Sequence, residues 1–194
     1  MFEIQKPLLS DIAQMRNLIM PEVQNGIILD RSEDEMANAI RSYSIVVESS
    51  PLDSKDLDSY LCQNIESNTE PNKLDSRDLD STSKITLIND KKHIIGFSAL
   101  HIHSNTLGEV RSLIIKKDYR RKGIATKLIE HLLNEAKILG LKQILTLTYQ
   151  KQVFEKLGFR EIAKKSLPNH KIWADCVKCK HFPICDEIAL IKTL

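Results

Sequence analysis

The sequence predicts a mixed domain of the α/β (α+β) class, with helices and strands interspersed along one chain. Two patterns carry that expectation. Short apolar runs bounded by turn residues read as hairpins before residue 108, and a strand–turn–helix–strand unit spans 108–148. Composition sets the frame. The 194 residues suffice for one ordinary domain, and 42% hydrophobic against 28% charged residues is the balance of a globular protein. Aromatics are only 5%, so the core must lean on Leu, Ile and Val.

Taken in order, Phe2 to Gln5 reads as a short strand. Ser10 and Asp11 offer caps to a helix carrying Ile12, Met15, Leu18 and Ile19 at helical spacing. Ser32-Glu33-Asp34-Glu35 fits a capping box for a second helix with Met36, Ala39 and Ile40 on its apolar side. Ser44 to Glu48 is a strand. Lys84 to Ile88, a turn at Asn89-Asp90 and Ile94 to His103 form a hairpin, and Gly108 to Lys116 is the next strand. From about Gly123 to Leu139, Ile124, Leu128, Ile129, Leu132, Leu133 and Ala136 mark an amphipathic helix, capped by Gly140. Gln143 to Thr148 is a strand. A short helix with Val153, Phe154 and Leu157 stops at Gly158, and Phe159 to Ala163 and Glu187 to Ile191 are the last strands.

One segment departs from this order. Residues 49–83 are rich in Ser, Asp, Asn and Glu, and repeat LDSKDLDS as LDSRDLDS. Such a composition buries too little apolar surface to offset ordering entropy, so a flexible acidic insertion is expected. Net charge over the chain is +2, which argues against a nucleic-acid-coating protein. The insertion holds three basic and eight acidic residues, leaving the remainder with 25 basic against 18 acidic, a charge of +7. That body suits an anionic ligand. No apolar run approaches the ~18 residues of a membrane span, and the N-terminal stretch lacks the continuous apolar core of a signal peptide, so a cytoplasmic location is expected.

The richest stretch is Leu113 to Ala125, LIIKKDYRRKGIA. A strand ends, a basic turn follows and a helix opens at Gly123. Unpaired amides at a helix start, together with the helix dipole, make an anion site. Gly123 and Ala125 allow close approach to the backbone, and Arg120, Arg121 and Lys122 add positive charge. The plain alternative is a solvated basic turn.

Arg120-Arg121-Lys122-Gly123-Ile124-Ala125 resembles the pyrophosphate signature of the GNAT acetyltransferase superfamily, Arg/Gln-x-x-Gly-x-Gly/Ala. The resemblance implies a GNAT-like mixed, mostly antiparallel twisted sheet flanked by helices, over a single domain 1–194 with the insertion set aside. It implies acetyl-CoA as the acetyl donor, its pyrophosphate held by Arg120 to Ala125 and its pantetheine arm paired along Leu113, Ile114 and Ile115. A narrower likeness is to the single-domain type of N-acetylglutamate synthase. It rests on Gly108-Glu109-Val110-Arg111-Ser112-Leu113, on Leu145 to Gln150, on Gly26 to Ser32, and on a Cys-containing segment at 167–187. That last segment reads Leu-Pro, then Lys-x-Trp-x-Asp-Cys-x-x-Cys, then Phe-Pro-x-Cys-Asp-Glu. It implies L-glutamate as the acceptor, for arginine biosynthesis. Asp30 stands where that group has Pro. Phe154 stands where many acetyltransferases carry a Tyr as general acid.

Acetyl transfer to an ammonium needs a base, an oxyanion donor and a proton for the leaving thiolate. Glu109, at the start of the cofactor-holding strand, is the candidate base; pairing with Arg111 as a strand neighbour is the alternative. On strict alternation Glu109, Arg111 and Leu113 share one face, and Val110, Ser112 and Ile114 the other. With Phe154 unable to give a proton, the role of acid, if needed, falls to Tyr149, to water or to no side chain. A backbone N–H between Leu113 and Ile115 is the implied oxyanion donor. Arg31, Arg111 and Lys171 are the candidate cations for the carboxylates of the acceptor. Cys176, Cys179 and Cys185, with His181 between, have metal-ligand density, against reduced thiols that brace a loop. His101 and His103 share a strand face, and Trp173 is expected to anchor the tail by packing. Other GNAT acceptors, such as a polyamine, an aminoglycoside or a protein N-terminus, stay open. So do a non-catalytic acetyl-CoA-binding module and the oligomeric state, a homodimer included.

Overall fold

The computed structural model describes residues 1–48 and 92–194. The insertion, with Cys62 and the Lys84–Ile88 strand and its turn, lies outside the described residues, as does the side chain of Trp173. The chain divides into two compact units. The smaller takes in Met1–Glu3 and Glu48–His93; among its described residues His93 Nδ1 lies 3.1 Å from Glu48 Oε2. The larger, Ile4–Val47 with Ile94–Leu194, carries the helices, the apolar clusters and the groove described below.

The strands are β1 (Phe2–Gln5), β2 (Tyr43–Glu48), β3 (His93–Ile102), β4 (Leu107–Ile115), β5 (Gln143–Thr148), β6 (Arg160–Glu161) and β7 (Ile188–Thr193). They form one mixed sheet in the order β1-β2-β3-β4-β5-β7-β6. The pairs β3–β4, β5–β7 and β6–β7 are antiparallel, and β4–β5 is parallel. Among the described residues five α-helices accompany them: α1 (Ile12–Gln24), α2 (Glu33–Asn38), α3 (Ile124–Ile138), α4 (Lys151–Glu155) and α5 (Asn169–Ala174).

Local chemistry sets these elements. Ser32 Oγ accepts from the Glu35 amide and Glu35 reaches back to the Ser32 amide, so the capping box starting α2 forms. At α1 the expected side-chain cap does not form; Asp11 instead accepts from the Leu8 amide at 2.8 Å, bracing the preceding turn. α3 buries Ile124, Leu128, Ile129, Leu132, Leu133 and Ala136, the stripe that its period marks. β6 is shorter than the Phe159–Ala163 strand expected. Its two residues are exposed, and only the Ile162 amide extends the ladder, to Ala189.

Apolar side chains gather into two main clusters. One joins Met15 and Ile19 of α1 to Tyr43, Ile45, Phe97 and Ile114. The other joins Ile129, Leu132, Leu133 and Ala136 of α3 to Leu100, Val110, Ile144, Phe154, Phe159 and Leu190. Between them β4 carries a bulge. Phe97 pairs with Ile114 but Ala99 pairs with Arg111, so Ser98 alone opposes Ser112 and Leu113. Ser112 takes a left-handed φ of 55°, and Ser98 Oγ donates to the Arg111 carbonyl at 2.9 Å. The bulge resets alternation. Leu113 packs in the same cluster as Val110, not opposite it, and Ile114 joins the α1 cluster. The expectation that Leu113 shares a face with Glu109 and Arg111 is corrected accordingly.

Candidate active site

β4 and β5 pair at Leu107–Gln143, Gly108–Ile144 and Glu109–Leu145, and the ladder ends there. Gly108 sets how closely they meet. A Cβ at that position would lie 2.8 Å from Leu141 and 3.0 Å from Ile144, so a side chain would push the strands apart. Past Glu109 the strands part, and a groove of about 750 Å³ opens between them. Its walls are β4 from Glu109 to Ile115 and β5 from Thr146 onward.

One end of the groove is the turn before α3. Gly123 caps that helix at φ 76°, and a Cβ there would meet nothing within 4 Å. Glycine is therefore needed for its backbone conformation, not for room. The first helical bond is Lys127 N–H to Gly123 C=O, which leaves the amides of Ile124, Ala125 and Thr126 without helical partners at the groove wall. Arg121 and Lys122 stand by the same turn, with Lys122 Nζ 5.0 Å from the centroid of the Tyr119 ring. Arg120, expected as a phosphate cation, lines the groove and is also tied to the scaffold. Its Nε donates to the Ile115 carbonyl at 2.9 Å, and a terminal nitrogen bonds Glu22 at 2.8 Å.

The other end holds a buried ionic chain. His103 Nε2 lies 2.8 Å from Glu109 Oε2, and Lys171 Nζ lies 2.6 Å from Glu109 Oε1. Lys171 Nζ also lies 3.0 Å from Asp175 Oδ2. Asp175 in turn binds Arg31 at 2.9 Å and Arg111 at 3.1 Å. Glu109 therefore pairs with His103 and Lys171; the alternative pairing with Arg111 does not form.

Burial alone would raise the Glu109 pKa, but His103 and Lys171 outweigh it and hold the carboxyl below its ordinary range. The Asp175 carboxyl is lowered too, its burial overcome by Lys171 and Arg31. Lys171 is raised: burial opposes its charge, and Glu109 and Asp175 prevail. Both carboxylates and the ammonium thus stay ionised at neutral pH. His101 is pushed down to about 4 by burial, then by Arg111 and His103, and is neutral there.

Tyr149, on the groove wall, donates to Asp186 at 3.3 Å. Burial, then Glu187 and Asp186, push its hydroxyl up to about 12. The phenol keeps its proton through the physiological range. Phe154 is buried edge-on against Phe159, with ring centroids 5.2 Å apart, and supplies packing only.

Cys176, Cys179 and Cys185 are free thiols along the groove mouth. Among the described residues no three His, Cys, Asp or Glu side chains converge as a metal site.

Asp175 and Glu187, at the end that holds the ionic chain, were not singled out as site residues from sequence, and His103 was noted only for sharing a strand face with His101. Glu187 also lines the groove, and burial pushes its carboxyl up against the opposing pull of Lys171. The Lys171–Asp175 spacing of four was the one local signal available for Asp175.

Comparison with known proteins gives this arrangement a family. The family model described as the Acetyltransferase (GNAT) domain matches residues 81–161, the stretch that contains β3, β4, α3, β5 and α4. The chain contains a GNAT acetyltransferase domain.

A curated relative of this GNAT domain, an uncharacterised N-acetyltransferase of Chlorobaculum tepidum, is 36% identical over 104 residues, 54% of this chain and 66% of that protein. An amino-acid acetyltransferase of Mycobacterium tuberculosis is 32% identical over 69 residues, 36% of this chain and 40% of its own. The chain thus spans just under two thirds of the first relative and two fifths of the second. Among solved structures, the fold resembles N-acetylglutamate synthase from Neisseria gonorrhoeae complexed with coenzyme A and N-acetyl-glutamate. The TM-score is 0.69 at 18% identity, covering 100% of this chain and 35% of that one. A Mycobacterium tuberculosis protein in complex with CoA and NLQ gives a TM-score of 0.65 at 17% identity, covering 99% of both chains. At these identities the solved structures speak for the GNAT fold. Among the described residues no helix is long and apolar enough to cross a membrane.

Proposed function

We propose that this protein is an acetyl-CoA-dependent N-acetyltransferase acting in the cytoplasm on the α-amine of L-glutamate, for arginine biosynthesis. One observation carries the choice of acceptor. Arg31, Arg111 and Lys171, from a loop, a strand and a helix, converge at the end of the groove opposite the Gly123 turn. A dicarboxylate needs cations there, whereas a polyamine or aminoglycoside would need the opposite charge. The amino-acid acetyltransferase relative and the fold shared with N-acetylglutamate synthase support the same reading.

The residues present fit acetyl-CoA, which supplies the activated acetyl group when bound. The α3 amides from Ile124, with Arg121 and Lys122, hold the pyrophosphate, and Leu113 to Ile115 pair with the pantetheine arm. A backbone N–H in that stretch meets the developing oxyanion. Glu109, anionic throughout, relays the ammonium proton through water to bulk solvent, and its lowered proton affinity keeps it from retaining that proton. The Tyr149 phenol gives its proton to the departing thiolate.

Thiol release from acetyl-CoA, followed with single amino acids, spermidine, an aminoglycoside and an N-terminal peptide, tests this. Turnover with L-glutamate above the other acceptors is expected. Turnover only with the cationic or peptide acceptors replaces the substrate, and none with any amine leaves an acetyl-CoA-binding module.

A further inference from the structure

Asp175 is placed against local preference. It is the C-cap of α5, where the helix dipole disfavours an anion, and it is 8% exposed. Such a placement needs a tertiary reason. Two guanidiniums supply it. Arg31 and Arg111 lie close enough that each charge works against the other, as burial and then Arg31 lower the Arg111 pKa. Each gives Asp175 one terminal nitrogen, to different carboxylate oxygens, and the Nε of each is buried without a partner. A desolvated donor left unpaired is costly, and a second carboxylate is the chemistry that satisfies it.

We infer that Asp175 is a positioning residue that holds Arg31 and Arg111 side by side as a clamp for a carboxylate of the acceptor. The inference rests on the proposed acidic acceptor and deepens it. Asp175 neutralises one of the two like charges and fixes both guanidinium planes, while the unpartnered donors remain for the ligand. Through Lys171 the same carboxylate is tied to Glu109, so the clamp and the proton-accepting end keep a fixed separation. Bulk electrostatics predicts the reverse effect on substitution: removing a negative charge from the groove should attract an anion more strongly.

The sign therefore decides. Glutarate, a dicarboxylate with no amine, is titrated calorimetrically into the wild type and Asp175→Asn, each saturated with coenzyme A. Glutarate binding about tenfold to a hundredfold weaker in Asp175→Asn is expected, with partial recovery in Asp175→Glu. Coenzyme A affinity should be unchanged, which shows the variant folded. If Asp175→Asn does not fold, the comparison is made with Asp175→Glu, where a severalfold weaker affinity is expected. Equal or tighter glutarate binding in the folded variant overturns the inference, as does absence of glutarate binding to the wild type. Failure of the proposed function looks different: no thiol release with L-glutamate while glutarate binding stays dependent on Asp175.

Discussion

Lys171 Nζ lies 2.6 Å from Glu109 Oε1 and in the same position reaches Asp175 Oδ2 at 3.0 Å, so one buried ammonium serves two carboxylates. Removing it leaves Glu109 with His103 alone and Asp175 with only Arg31 and Arg111, so two buried carboxylates each lose a counter-charge. Lys171→Met should lower stability by about 3–5 kcal/mol, the cost of breaking a buried pair from one side. Chemical denaturation at neutral pH measures it, and the loss should shrink on acidification as Glu109 takes up a proton.

Asp175 gives a second pH signature. Its folded pKa lies below the unfolded value of about 3.9, so its contribution to stability is fully present above that pH and fades as pH falls through the folded value. The stability difference between wild type and Asp175→Asn should be constant from pH 5 to 7 and diminish below about pH 4. Urea midpoints across that range provide the check; a difference that grows toward low pH would contradict the ion-pair assignment.

For turnover, Glu109→Gln should lower kcat by about a hundredfold or more, with acetyl-CoA affinity little changed. Because His103 and Lys171 keep this carboxyl ionised, the wild-type rate should show no protonation limb from Glu109 above about pH 5. A pH–rate series on both proteins measures this. A wild-type limb near neutrality that vanishes in Glu109→Gln would mean a carboxyl of raised proton affinity acts instead.

At the opposite end of the groove, Gly123→Val should weaken acetyl-CoA binding and cost about 1–2 kcal/mol of stability. The left-handed φ of 76° is the cause, since a Cβ meets no neighbour there. Thermal melts with and without coenzyme A separate the two effects: the variant should melt lower and gain less from the ligand.

Elements fixed by local periodicity were legible in the sequence. β5 spans Gln143–Thr148 as its residues indicate, and α3 follows its apolar stripe to within a residue at each end. The Gly123 turn was legible because strand, basic turn and glycine occur in sequence. The bulge at Ser112 was not. Nothing in Arg111-Ser112-Leu113 signals an extra residue, and the slip moved Leu113 to the other face. The hub at Asp175 was hidden for a different reason: Arg111 and Arg31 lie 64 and 144 residues away along the chain. The partners of Arg120 were not legible because charge identifies a cation and not what it pairs with. Its guanidinium closes the turn against Ile115 and Glu22, leaving the backbone amides as the principal anion donors.

The most direct measurement is a crystal structure grown with coenzyme A and L-glutamate. The pyrophosphate should sit on the amides that open α3 at Ile124, with the pantetheine arm between β4 and β5 and a glutamate carboxylate against Arg31 and Arg111. A nucleotide bound anywhere other than the Gly123 turn would contradict the account.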